Sequence, residues 1–159
     1  MIHRALPFAA LALALALTAS AVAAGPLAVT TRMLVESRAA AADGTMRTTL
    51  IVPATVVPGD RVTVVLAYRN TGAQPIANLT LANPVPQGMA FRGASQGTRA
   101  PEVSVDGVHF GSLPSLRVGA PGGTPRAAVA GDVTHVRWRL AAAVAPGTGG
   151  ELAFQAVVK

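Results

Sequence analysis

Between Val56 and Phe91 the chain alternates turn and strand in residues that suit little else. Pro58-Gly59-Asp60 makes a tight turn, because Pro presets one φ and Gly accepts a positive one. From Arg61 to Arg69, Val62, Val64, Leu66 and Tyr68 fall on one face and Thr63, Ala67 and Arg69 on the other, the period of a half-buried strand. Asn70-Thr71-Gly72 turns the chain again. Ile76 to Leu81 reads as a second strand with Leu79 and Leu81 inward, and Pro84 and Pro86 stop its ladder by removing donors. Such a stretch belongs to an antiparallel sandwich.

The flanking segments extend this pattern. Val29, Thr31, Met33 and Val35 recur at every second position and predict a first strand. The alanines at 39–42 allow a brief helix, and Asp43-Gly44 signals a turn. Met46 to Val57 reads as a strand kinked at Pro53, so that Val29–Val57 forms a hairpin. Glu102 to Phe110 predicts a compact hairpin about Asp106-Gly107. Leu113 to Val118 offers a short pairing segment, and Gly119 to Gly131 reads as a loop. Asp132 opens a strong strand with Thr134, Val136, Trp138 and Leu140 on one side and His135, Arg137 and Arg139 on the other. Pro146-Gly147 turns into a closing strand, with Leu152, Phe154, Ala156 and Val158 inward. The expected fold is all-β: an immunoglobulin-like antiparallel β-sandwich of about seven or eight strands over residues 25–159.

Residues 1–24 read as a cleavable export signal. His3 and Arg4 start it, Ala5 to Leu17 is apolar, and Ala21-Val22-Ala23-Ala24 supplies the small residues of a cleavage site. The run is short for a membrane span, so no stable membrane anchor is expected after cleavage, and the expected place is the periplasm or cell surface. Without Arg4, 12 cations face 7 acids, and 11 of those cations are Arg. They are dispersed, which argues against nucleic acid as a partner. The chain has no cysteine, which excludes disulfides and thiolate chemistry.

In their order, Pro58-Gly59-Asp60, Asn70-Thr71-Gly72, Asn83-Pro84-Val85-Pro86-Gln87-Gly88-Met89-Ala90-Phe91, Val136-Arg137-Trp138, Pro146-Gly147 and Phe154-Gln155-Ala156-Val157 resemble the bacterial extracytoplasmic repeat called domain of unknown function 11. The resemblance spans about residues 50–159 in a single copy. It implies an immunoglobulin-like fold outside the cytoplasm and brings no reaction and no catalytic residues. Asn83 stands where that family carries Asp, and residues 92–132 form a longer middle section.

Candidate chemistry is sparse. Glu36, Asp43, Asp60, Glu102, Asp106, Asp132 and Glu151 lie at turns or strand ends, without the pairing that acid–base work needs. His109 and His135 form no metal-ligand cluster. Ser104, Ser112 and Ser115 lack a strained nucleophile turn. Ser104 to Phe110 weakly resembles the Asp-box hairpin of propeller sialidases, a folding element one residue longer. Asn78-Leu79-Thr80 matches a glycosylation acceptor by chance within a strand, and Met89 suits core filling beside Phe91. No catalytic, cofactor-binding or metal-ligating residue is assigned, and no cofactor is expected. The reading is a non-catalytic structural or interaction module; the alternative is a carbohydrate- or protein-binding module in an envelope assembly. Its expected partner is an envelope protein or an anionic polymer. The outward face is expected to hold His135, Arg137 and Arg139 with Asn78, Thr80, Gln155 and Lys159, three cations and no acid if the closing strand lies beside the Trp strand; its ordinary reading is a solvated sheet face that charge keeps from edge-to-edge aggregation, and its functional reading is a contact surface for an anionic partner.

Overall fold

The computed structural model describes residues 25–53, 55–119 and 122–159; the export-signal reading falls on 1–24, outside them. Ten strands lie among the described residues: β1 (Leu27–Ala40), β2 (Met46–Ile51), β3 (Arg61–Asn70), β4 (Thr80–Pro84), β5 (Met89–Ala94), β6 (Glu102–Ser104), β7 (Arg117–Val118), β8 (Arg126–Ala127), β9 (His135–Arg139) and β10 (Gly149–Val158). They form a five-stranded sheet in the order β2-β1-β3-β10-β5, a three-stranded sheet β4-β9-β6 and a two-stranded ribbon β7-β8. All pairings are antiparallel. The all-β sandwich expected from alternation is the observed architecture, with more short strands than the turn signals implied.

The core lies between the two larger sheets. Val62, Val64 and Leu66 of β3 and Leu152, Phe154 and Ala156 of β10 meet Leu81, Val136 and Trp138 from the smaller sheet. The Phe154 ring stands 6.0 Å from Phe91 and 6.3 Å from Trp138, both tilted, within the usual range for aromatic pairs. Met89 is buried in the same cluster. On the far side of β3, Arg32 of β1 reaches across to Glu151 of β10 at 2.7 Å. That pair bridges the two neighbours of β3 in the sheet, where Val65 is also buried.

The turn motifs act through side-chain caps. Asp60 accepts the Val57 N–H at 2.8 Å, and Gly59 holds φ 94. Asn70 is wholly buried; its amide donates to the carbonyls of Gln74 (2.8 Å) and Val144 (2.9 Å), and its oxygen accepts Gly72 N–H (2.9 Å). The Asn-Thr-Gly turn is therefore a clamp that fastens the β3 exit to the segment before β10.

Several expectations are corrected. β2 ends at Ile51, before Pro53, and Ala39 and Ala40 are strand residues opposite Arg47 and Met46. Cross-strand pairing overrides alanine's helical preference there. β4 starts only at Thr80, because Asn78 sits at φ 53, and Ile76 makes a lone bridge to Val144. β4 also runs through Pro84. Val85 N–H bonds Thr134 at 2.8 Å, so by alternation the missing donor of Pro84 faces the open edge and costs no ladder bond. The Glu102–Phe110 segment is no regular hairpin: β6 pairs with β9, and only a Val103–Gly111 bridge closes the loop. Residues 113–115 form a 3-10 turn, and β8 pairs with β7 inside the stretch read as loop. Finally, β10 lies between β3 and β5, in the sheet opposite β9.

Candidate functional site: the outer face of the small sheet

The phase of β9 is as expected. Val136 and Trp138 are buried, while His135, Arg137 and Arg139 turn outward. The composition of the face differs. β10 belongs to the other sheet, so Gln155 and Lys159 do not join it. In their place β6 brings an acid: Glu102 is the cross-strand partner of Arg137. One Glu102 oxygen accepts from Arg137 Nε at 2.9 Å and Nη2 at 2.7 Å, and Arg139 Nε approaches it at 3.4 Å. The Arg137 guanidinium also lies over the Phe110 ring, 4.1 Å from its centre, in cation–π geometry. Its side chain is 18% exposed. Hydrogen bonding from Arg137 holds the Glu102 carboxyl below its ordinary pKa.

Arg137 is thus a packed residue and not a solvated one. Arg137→Ala is expected to cost about 1–2 kcal/mol, from the lost ring contact and a half-exposed ion pair. Arg139→Ala is expected to change stability by less than about 0.5 kcal/mol. Because the folded Glu102 pKa is depressed, its share of stability is present above the unfolded carboxyl pKa and lost as pH falls through the folded one. Paired urea melts check the order, and equal midpoints for the two variants would contradict it.

The loop after β6 is built by two side chains. Buried Ser104 donates to Asp106 at 2.9 Å and accepts Gly107 N–H at 2.9 Å. Asp106 accepts the N–H groups of Val108 and His109, each at 2.8 Å, and its other oxygen meets His109 Nδ1 at 2.7 Å. These bonds hold the Asp106 carboxyl far below the usual range, with His109 the largest cause. Nucleophile activation needs a histidine between serine and carboxylate. Here Ser104 and His109 both attach to the same carboxylate, which is the geometry of a capped turn. A Cβ on Gly107 would stand 3.0 Å from the His135 ring, so the loop seats that ring closely. Ser115 caps the 3-10 turn by donating to Ser112 O at 2.7 Å. Asp132, with a pKa lowered to about 2 chiefly by Arg126, takes both Arg126 Nη groups and Val129 N–H. Among the described residues no three His, Asp or Glu side chains converge as ion ligands, and no helix is long and apolar enough to cross a membrane.

At one end of the face Arg99 joins Arg139, the more distant of the two arginine partners of Glu102. Two adjoining concavities, about 450 and 380 Å³, share Arg99, Leu140 and Ala141. The smaller adds Asn78, Thr80 and Arg139; the larger adds Tyr68, Ala142 and Ala143. Arg99 is held there through its carbonyl, which accepts the Trp138 indole N–H at 2.8 Å. Asn78 and Thr80 thus keep their expected place beside Arg139. Arg99 had no local signal in the sequence, since only the folded chain brings residue 99 to Trp138. Comparisons with models of known families, with curated proteins and with solved structures returned no match.

Proposed function

We propose that this chain is a non-catalytic interaction module of the periplasm or cell surface, and that it contacts an anionic polymer through Arg99 and Arg139. The observation that carries the reading is the pair of concavities sharing Arg99, with Arg139 lining the smaller one and sharing the Glu102 carboxylate, at 3.4 Å, with the more closely bound Arg137. Arginine suits carboxylate and phosphate groups through its planar donor fork. The half-buried Tyr68 adds a ring to the larger concavity, in keeping with a saccharide carrying acidic groups. Most acids serve the fold: Asp43, Asp60, Asp106 and Asp132 cap turns, and Glu102 and Glu151 pair with arginines. The leader at 1–24 and the resemblance to an extracytoplasmic repeat support the compartment.

Protein expressed from the full chain is expected in the extracytoplasmic fraction, retained on isolated envelope and on polygalacturonate at low salt. Retention should fall steeply as salt rises, since exposed charges are screened over about 8–10 Å at physiological ionic strength. Arg99→Gln with Arg139→Gln should weaken it about tenfold, the loss of two exposed charge contacts. A folded double variant retained as well as the parent would overturn the anionic reading. Retention on envelope but not on the polysaccharide would move the partner to an envelope protein.

A further inference from the structure

The edge of β1 is open along Leu27–Leu34, a longer stretch than the exposed outer edge of six-residue β2. β1 pairs with β3 from Leu27 to Val35, but with β2 only from Val35 to Ala40. Leu27–Leu34 therefore has one side without a strand among the described residues. The ladder phase says which groups that side presents. Thr71 N–H bonds Pro26 O at 2.7 Å. By alternation Ala28, Thr30, Arg32 and Leu34 then bond β3, and Leu27, Val29, Thr31 and Met33 turn both N–H and C=O outward.

An edge of this kind is a template for pairing unless it is blunted. β4 has only five residues and ends in Pro84, β5 carries a register shift against β10, and β6 has three residues. β2 has six residues and bears Arg47 on its open edge strand. Leu27–Leu34 has no proline and no bulge, and its single charge, Arg32, is neutralised by Glu151. Its inner-face side chains Val29 and Met33 remain 44% and 41% exposed, while Thr31 between them donates to Asn83 of β4 at 3.5 Å.

We infer that β1 is a self-association edge: a second copy of this chain adds its own Leu27–Leu34 antiparallel to the first, about a two-fold axis at Thr30. The register follows from the available groups. With Leu27 opposite Met33 of the second copy and Val29 opposite Thr31 of the second copy, every outward group finds a partner and pairing stops short of Val35. A register centred on Thr31 would set Leu27 against Val35, whose edge is held by Ile51 of β2. The chosen register brings the exposed Val29 and Met33 of both copies into one cross-strand row. Arg32 falls opposite Ala28 of the second copy, so no like charges oppose each other. A second copy is favoured over a disordered peptide because its strand is already formed and neutral, and pays no ordering entropy.

The test uses the absence of cysteine in the natural chain. Thr30 meets its own symmetry mate as a non-hydrogen-bonded pair, with Cα atoms about 4.5 Å apart, inside disulfide range. Thr30→Cys should oxidise to a covalent dimer, while Thr48→Cys on β2 should not. Sedimentation of the unmodified protein should show a reversible dimer, and Thr31→Pro, which removes one outward donor and crowds the mate, should raise its dissociation constant at least about tenfold. Unchanged dimerisation in Thr31→Pro, a sedimenting monomer, or Thr48→Cys cross-linking as fast as Thr30→Cys would overturn the inference.

Discussion

Trp138→Ala is expected to leave the domain unfolded or nearly so. The indole is 1% exposed and touches Phe154, the ring that also meets Phe91. Removing it subtracts the transfer energy of the largest core side chain and leaves a cavity, about 3–5 kcal/mol for such a change. It also orphans the Arg99 carbonyl, which takes the indole N–H. A domain of this size has roughly 5–15 kcal/mol in hand. Arg139→Ala, on the same strand but exposed, is the control. Urea midpoints that coincide for the two would show that Trp138 does not hold the sheets together. Because Arg99 is fixed through Trp138, any folded remnant of Trp138→Ala should also bind polygalacturonate less well than the parent.

Side-chain alternation along β3, β9 and β10 was legible because a strand with one buried face must place apolar residues two apart, and Val62, Val64 and Leu66 do so. The turns were legible because Gly59, Gly88 and Gly147 occupy positive φ, where few other residues settle. Alternation says which side chains face the core, but not which strand lies beside which. Nothing in Leu152–Val158 distinguishes a neighbour in β9 from one in β3, and placing β10 with the wrong sheet put Gln155 and Lys159 on the wrong face. The same limit concealed Glu102. It stands 35 residues from Arg137, and only the β6–β9 register brings them together. Asn70 carries a turn signal in the sequence; its burial and reach to Val144 depend on a contact 74 residues away.

Asn70→Asp is expected to be the most damaging isosteric change in the chain, with a dependence on pH that identifies the cause. The Asn70 amide nitrogen gives its two hydrogens to the carbonyls of Gln74 and Val144 in a site with no exposure. An ionised aspartate has no hydrogen to give. It would set a negative oxygen against two carbonyl oxygens, cut off from water. Stranding a buried charge in this way costs about 3–5 kcal/mol, more than the loss of one ordinary hydrogen bond. The protonated carboxyl recovers one of the two donations, so folding favours the proton and raises the folded pKa above the unfolded value of about 3.9. The folded state then binds more protons than the unfolded one, and stability falls as pH rises through this interval. Melts of parent and variant in urea at about pH 5 and about pH 8 should show the gap between them widening with pH. The parent carries every other carboxylate in common, so their titration cancels in the difference. A gap of equal size at both values would mean that the damage comes from shape and not from charge, and that the amide donors at residue 70 matter less than their geometry implies.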